Sequence, residues 1–170
     1  MPRESITREL PASCEAAFDL IHDYDRRLLW DSMLSRAEIL DGSATAGKGV
    51  RTLCVATWRG AWLGMVTEYI SFERGRVAAV KLVRPMPRFG RFAATIAHEP
   101  ISADRSSVTY IYSFRSRPGL LRFILDPLLN MLLRREVRKR LSCLQSFLTA
   151  ESAGVKFTHD LEHSIDERDY

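Results

Sequence analysis

The feature that most constrains this chain is a long helical stretch that follows a series of short strand-like segments. Apolar residues recur in it at spacings of four, four, three and four: Leu133, Val137, Leu141, Leu144 and Leu148. This spacing places them on one face of a helix. The pair Asp126-Pro127 is typical of the start of a helix, so we expect a separate lead-in turn before the main helix.

Residues 37–114 contain six β-type segments that are separated by short turns. Strands that follow one another through short turns indicate an antiparallel sheet, and a sheet with one apolar face must bury it against another element. The C-terminal helix is the only predicted element long enough to do so.

The first thirty residues add one strand and two short helices. Residues 5–10 alternate and end at Pro11, Ser13 is a good N-cap for a helix to Asp23, and Asp25 can cap a second helix. We therefore expect an α+β protein: a curved antiparallel sheet of about seven strands wrapped around a long C-terminal helix, with two short helices after the first strand.

Composition excludes several other classes of protein. The chain of 170 residues is 46% hydrophobic and 27% charged, which is typical of one globular domain. No apolar run is long enough for a membrane span, and the N-terminus lacks the apolar core of a signal peptide, so we expect a cytoplasmic protein. Cys14, Cys54 and Cys143 are far apart, and no histidines have the spacing of metal ligands. We expect no metal and no cofactor.

Charge is unevenly distributed along the chain. Residues 151–170 hold six acids and two bases, a net charge of −4. Since the whole chain has a net charge of +4, residues 1–150 carry a net charge of +8. We expect a domain over residues 1–150 and a disordered acidic tail over 151–170. The long helix also carries a basic cluster: Arg134, Arg135, Arg138, Lys139 and Arg140. This cluster could bind RNA, a ribosome or an anionic membrane. The alternative, which we favour, is a solvated helix face.

Five parts of the chain together carry a family resemblance: residues 11–21, residues 23–27, Trp30, residues 66–69 and the helical stretch 120–148. They resemble the START-like (SRPBCC) superfamily, and within it the polyketide cyclase/dehydrase and coenzyme-Q-binding lipid-transport group. The resemblance implies a helix-grip fold with a deep apolar cavity between helix and sheet. Some members of the group resemble ribosome-associating factors, which would agree with a basic body.

One strand supplies the clearest candidates for ligand contact. Val108, Tyr110, Tyr112 and Phe114 share a face at period two. If that face points at the helix, the two tyrosine hydroxyls can orient the oxygens of a bound ligand. The alternative is that the four side chains only fill the core.

Glu68 and His98 are the candidates for proton transfer. Glu68 shares a face with Val66 and Ile70; if this face is inward, the carboxylate lies in an apolar pocket and acts as a general acid or base. The alternative, which we favour, is that Glu68 is solvated or paired with an arginine. His98 follows Phe92 and Ile96 at period two, so it is either a rim residue of the cavity or, as we favour, a surface residue.

These observations favour binding or transport of a hydrophobic small molecule, such as a lipid, a quinone or a polyketide-like compound, in an internal cavity. The candidate ligand contacts are Trp30, Trp58, Glu68, Phe92, Ile96, Tyr110, Tyr112, Phe114, Leu128 and Met131. The alternatives are a metal-free polyketide cyclase, aromatase or dehydratase that uses Glu68, Tyr110, Tyr112 or His98, and an RNA- or ribosome-associating protein. A homodimer through a sheet edge or through Trp58 and Trp62 is a further alternative.

Overall fold

The computed structural model describes residues 3–57, 64–117 and 119–154, with the side chain of Arg122 excluded. Seven strands and three α-helices follow one another along the chain. They are β1 (Arg3–Leu10), α1 (Cys14–His22), α2 (Arg27–Trp30), β2 (Leu34–Ile39), β3 (Arg51–Ala56), β4 (Gly64–Glu73), β5 (Val77–Leu82), β6 (Phe89–Ser102), β7 (Arg105–Ser116) and α3 (Arg122–Ser152). A single 3-10 turn, Gly119–Leu121, precedes α3.

All seven strands form one antiparallel sheet in the order β1-β7-β6-β5-β4-β3-β2. The strands from β2 to β7 are neighbours in sequence order, and β1 adds to the free edge of β7. Register shifts interrupt the ladder within β4 between Tyr69 and Ser71 and twice within β6. Such bulges increase strand bending, which lets the sheet curve around the helices. The predicted α+β helix-grip architecture is confirmed.

The core lies between the inner face of this sheet and the helices α1 and α3. Phe18 and Ile21 of α1 and Leu141 and Leu144 of α3 are buried there. Ser13 caps α1, since its Oγ accepts a hydrogen bond from the backbone N–H of Ala16 at 3.2 Å. These contacts fix both helices on one side of the sheet.

Polar contacts add to the packing of α3 against β1. The Arg8 guanidinium donates to the Oε1 of Gln145 at 3.2 Å and to the Oγ of Ser142 at 2.9 Å. Asn130 donates to the Oε1 of Glu4 at 2.9 Å. The register of the long helix along the sheet is therefore set by side chains near both of its ends as well as by its apolar stripe.

Two local predictions are wrong. The helix begins at Arg122 and continues through Pro127, so no break occurs at Asp126-Pro127, and the lead-in turn lies earlier, at Gly119–Leu121. Proline removes only one hydrogen bond, the one to the carbonyl of Phe123, and here the helix continues past it. β6 and β7 are also longer than expected, because residues 102 and 105 pair across a tight turn.

The domain boundary at residue 150 and the disorder of the acidic tail stay predictions. Helix α3 ends at Ser152, and residues 155–170 lie outside the described part of the chain. No helix among the described residues is long and apolar enough to cross a membrane.

Candidate functional site

A cavity of about 200 Å3 lies between the inner face of the sheet and α3. Most of its wall is apolar, from strands β3 to β6, the segment before β2, and α3: Met33, Leu34, Cys54, Ala56, Met65, Ala78, Val80, Phe92, Ala94, Ile96, Leu133 and Val137. The polar lining consists of His22, Tyr24, Arg27, Thr67, Tyr69, Tyr110, Tyr112, Glu136 and Arg140. The chamber is therefore a mainly apolar space with a small number of polar groups, the usual composition of a small-molecule site.

The two tyrosines of β7 differ in what their hydroxyls do. Tyr112 donates to the Oδ1 of Asn130 at 3.1 Å, and burial and the Glu4 carboxylate raise its pKa to about 12. Tyr110 is buried, and no described residue makes a hydrogen bond to its hydroxyl. Burial raises the pKa of Tyr110, although the Arg140 and Arg27 guanidiniums oppose that change. Tyr110 thus brings a protonated, unpaired hydroxyl to the cavity wall near two cations.

A buried cluster of charges anchors these cations. Asp31 is fully buried, and its Oδ2 lies 3.1 Å from the Nε of Arg27 and 2.9 Å from the Nε of Arg140. Arg27 also donates to the backbone carbonyl of Ile21 and lies over the Trp30 ring, 4.5 Å from its centroid. Burial is the largest cause and lowers both pKa values, but Asp31, Cys54 and a neighbouring tyrosine together leave the pKa of Arg27 and of Arg140 raised.

The contact between Asp31 and Arg140 is an ion pair without the angles of a hydrogen bond, since the Nε–H of Arg140 has no hydrogen-bond partner among the described residues. The Arg140 side chain also lines the cavity. Glu136, one turn earlier on α3, also lines the cavity. Arg27, Arg140, Asp31 and Glu136 together carry no net charge, so the chamber offers local polarity without a strong overall field.

His22, Tyr69 and Tyr24 form a hydrogen-bonded chain at another part of the wall. The Nδ1 of His22 lies 2.8 Å from the hydroxyl of Tyr69, which lies 3.2 Å from the hydroxyl of Tyr24. Burial, the Arg27 cation and His98 lower the pKa of His22 to about 3. His22 is therefore neutral near pH 7, and its Nε2 has no partner among the described residues.

The same residues separate the cavity from a second pocket. This pocket has a volume of about 930 Å3 and lies between the C-terminal end of α1, β2 and the loop that follows β2. His22 and Tyr24 line both spaces. Two members of the chain of His22, Tyr69 and Tyr24 therefore belong to the walls of both spaces.

The family model for "Polyketide cyclase / dehydrase and lipid transport" matches residues 1–147. The chain belongs to this family. The expected resemblance to the START-like polyketide cyclase/dehydrase group is therefore confirmed. No curated protein matches the chain.

Solved structures similar to this family member share its fold. The Zhui aromatase/cyclase from Streptomyces sp. R1128 superposes with a TM-score of 0.76 at 14% identity, over 89% of this chain and 95% of that one. TTHA0849 from Thermus thermophilus gives a TM-score of 0.73 at 19% identity, over 89% and 99%. The di-domain ARO/CYC BexL from the BE-7585A biosynthetic pathway gives 0.68 at 15% identity, and the chain spans about half of its length, 48%.

Four of the candidate ligand contacts lie in the cavity wall of this family member. Tyr110, Tyr112, Phe92 and Ile96 all line it, because their strands β6 and β7 alternate as the period of two predicts. Their contact with a ligand stays a prediction. The expectation that the aromatic face of β7 is inward is confirmed.

The inward carboxylate is a prediction that the structure contradicts. Met65, Thr67 and Tyr69 face the cavity, so Glu68 lies on the opposite face of β4. Its Oε1 is 3.6 Å from the Nζ of Lys81 on the neighbouring strand. The favoured alternative was a solvated glutamate or one paired with an arginine; Glu68 is on the outer face and partly exposed, and the ion pair shown is with a lysine.

His98 is neither a rim residue nor a surface residue. It is buried beneath α1, with its ring centroid 5.6 Å from that of Phe18, and it does not line the cavity. Burial lowers its pKa to about 4, and neither ring nitrogen has a hydrogen-bond partner among the described residues. The strand continues past His98 to Ser102, which places the histidine inside the sheet rather than at its end.

Four further candidates lie away from the cavity, and Trp58 lies outside the described residues. Trp30 packs in the core under Arg27, and Phe114 packs against Phe89 with ring centroids 5.7 Å apart. Leu128 and Met131 are exposed to solvent, because α3 turns them away from the sheet. Trp62 is also outside the described part of the chain, so an interface through the two tryptophans stays a prediction.

Sequence reasoning missed several residues of the site, although some signals were present. His22 follows Phe18 by four residues and so shares its buried face on α1, but it was explained by the helix dipole alone. Arg140 follows Val137 by three residues and precedes Leu144 by four, which places it on the buried stripe. Arg27 and Asp31 are four residues apart, a spacing that favours an ion pair on a helix, whereas the pairing of Arg140 with Asp31 has no signal in the sequence. Among the described residues no group of His, Cys, Asp or Glu could hold a metal.

Proposed function

We propose that the cavity binds a small apolar molecule that carries at least one oxygen atom. The observation that supports this most directly is the unpaired Tyr110 hydroxyl in a mainly apolar wall, beside the Arg140 guanidinium. Tyr110 lines the cavity, so a ligand oxygen there can accept a hydrogen bond from its hydroxyl. Because the nearby charges sum to zero, a neutral ligand such as a phenol, a quinone or a ketone is the best match.

The size of the cavity narrows the ligand class further. An apolar cavity of about 150 Å3 accepts benzene, and the chamber here measures about 200 Å3. A single substituted ring therefore fills it. Among the ligand classes considered above, a quinone-like or cyclised polyketide-like ring suits this space better than a long acyl chain.

A matched pair of ligands tests the proposal. p-Cresol and p-xylene have nearly the same shape, but only p-cresol has a hydroxyl. We expect both to bind and p-cresol to bind more tightly, and we expect Tyr110→Phe to weaken p-cresol about fivefold, the effect of one hydrogen bond of about 1 kcal/mol, without changing p-xylene. Calorimetric or NMR titration measures both affinities.

Tyr112→Phe is the matched control, since the Tyr112 hydroxyl already donates to Asn130. It should leave the preference for p-cresol unchanged. Ala94→Leu should fill the cavity and abolish binding of both ligands, with the fold checked by circular dichroism. Equal affinities for the two ligands in the wild-type protein, or equal effects of the two tyrosine variants, would contradict the proposal.

The catalytic alternative is not proposed. It depended in part on Glu68 as a cavity acid, and that carboxylate lies on the outer face of the sheet beside Lys81. A homodimer and an RNA- or ribosome-bound form stay predictions.

A further inference from the structure

Large apolar side chains are exposed in one cluster at the start of α3. Of the ten large hydrophobic residues that are exposed in the described part of the chain, six lie between positions 120 and 131. We call them the apolar patch: Leu120, Leu121, Phe123, Ile124, Leu128 and Met131. Leu120 is 91% exposed and Phe123 is 77% exposed. Single exposed apolar residues need no explanation, but a contiguous group indicates an interaction surface.

The apolar patch continues directly into a basic surface on the same helix face. Ile124, Leu128, Met131, Arg135 and Arg138 follow one another at spacings of four, three, four and three, so they form one stripe along α3, and all five are exposed. The stripe is apolar in its first two turns and basic in the next two. A helix with such a face is suited to lie in an interface between an apolar and a negatively charged phase.

Arginines on the sheet extend the basic surface. The backbone N–H of Arg117 donates to the carbonyl of Arg88 at 3.0 Å, and Arg91 is paired in register with Arg115. All four arginines are exposed, and they stand at the ends of β6 and β7, next to the turn that carries Leu120. No acidic residue occurs in residues 74–98 or 105–125. Arg74, Arg76, Lys81 and Arg105 of these segments pair with acids elsewhere, whereas no ion pair to Arg88, Arg91, Arg115 or Arg117 is found among the described residues.

We propose that the apolar patch inserts into the surface of an anionic phospholipid bilayer while the surrounding arginines contact the lipid headgroups. Apolar insertion and headgroup attraction add, as in amphipathic helices that lie in a membrane surface. A second copy of this chain suits the patch poorly, because face-to-face packing would bring the arginines of both copies together. RNA would be bound by the arginines alone and gives no role to six exposed apolar side chains. The inference is independent of the ligand in the cavity.

Vesicle sedimentation with the full chain tests the proposal. We expect binding to vesicles of phosphatidylcholine with about a third phosphatidylglycerol, at least tenfold weaker binding to pure phosphatidylcholine, and weakening as salt increases. The double variant Phe123→Ser/Ile124→Ser should lower binding at least tenfold. Its matched control is Ile70→Ser/Ile101→Ser, which removes two apolar residues that are exposed elsewhere and should leave binding unchanged.

A second pair of variants tests the electrostatic part. Arg135→Glu/Arg138→Glu should lower binding to anionic vesicles at least tenfold, whereas Lys48→Glu/Arg51→Glu, with the same change in net charge at exposed sites by β3, should have a much smaller effect. All four variants should keep the wild-type circular dichroism spectrum. The proposal is overturned if neither vesicle binds or if the control pairs lose as much binding as the patch pairs. It is also overturned if Phe123→Ser/Ile124→Ser dissociates a dimer, or if RNA binds through the arginines while vesicles do not.

Discussion

The two halves of α3 follow almost the same spacing of apolar residues but meet different surroundings. In the C-terminal half, Val137, Leu141 and Leu144 are buried against the inner face of the sheet. In the N-terminal half, Ile124, Leu128 and Met131 are exposed, and the arginines continue their stripe. Leu125, Leu129 and Leu133 of this half pack against the core, so equal periodicity accompanies a structural role on one face of α3 and, as we propose, a docking role on the other.

The comparison shows that an apolar stripe predicts that a helix face will be covered, but not what covers it. In the N-terminal half of α3 the core covers Leu125, Leu129 and Leu133, so the exposed Ile124, Leu128 and Met131 lie on a second face of the helix. The apolar residues of this second face remain available for another surface. The predictions that follow separate the closed interior from the exposed face of α3, beginning with the largest effect.

Acid should destabilise the interior through its two buried histidines. Their pKa values, about 3 for His22 and about 4 for His98, lie below the value of about 6.5 in an unfolded chain. As the pH falls from 7 to 5, the unfolded state therefore takes up protons that the folded state does not. The free energy of unfolding that the neutral histidines contribute is fully present above pH 6.5. Between pH 7 and pH 5 it falls by about 2 kcal/mol per histidine, or about 4 kcal/mol in total.

Urea unfolding at pH 7 and pH 5 measures this loss. The double variant His22→Phe/His98→Phe should lose about 4 kcal/mol less than the wild-type protein over that interval. The comparison of slopes cancels any change in stability that the substitutions cause at both pH values. Equal losses in the two proteins would show that the histidines are protonated, or accessible to protons, in the folded state.

Truncation of an apolar side chain should distinguish the two halves of α3 directly. Leu144 is fully buried, so Leu144→Ala should lower the free energy of unfolding by about 3 kcal/mol, the cost of lost burial and a cavity. Met131→Ala should change it by less than about 0.5 kcal/mol, because Met131 is already exposed. Urea unfolding of both variants checks the difference, and a large effect at Met131 would mean that this side chain is covered in solution.

Much of the fold could be predicted from the sequence because its signals are local. The alternation in β7, the N-cap at Ser13 and the apolar spacing on α3 each follow from neighbouring residues, and together they specify an antiparallel sheet around one helix. The site was harder to predict, because it depends on which face of each strand is inward. Glu68 and Tyr69 are adjacent and therefore point to opposite faces of β4. Placing the wrong face of this strand inward made Glu68 a cavity candidate in place of Tyr69.

Local reasoning could reach only the Arg27–Asp31 pair of the polar cluster, four residues apart, and not its contact with Arg140. Asp31 and Arg140 are more than a hundred positions apart, and only the packing of α3 against the segment after α2 brings them to 2.9 Å. Arginine is usually exposed, so a run of five basic residues on a helix was interpreted as one surface. The structure divides that run: Arg134, Arg135, Arg138 and Lys139 are exposed, and Arg140 reaches the interior.

Substitution of Arg140 should give the smallest of the three changes in the free energy of unfolding. Arg140→Met keeps the length and apolar stem of the side chain but leaves the fully buried Asp31 with Arg27 as its remaining cation. Loss of one partner from a buried ion pair is strongly destabilising, but since Arg27 still compensates the charge we expect a cost of about 2 kcal/mol. Arg138→Met, on the exposed face, should cost less than about 0.5 kcal/mol. If Arg140→Met proved neutral in urea unfolding, Asp31 and Arg27 would be a self-sufficient pair, and Arg140 would be held at the cavity wall for its ligand rather than for the fold.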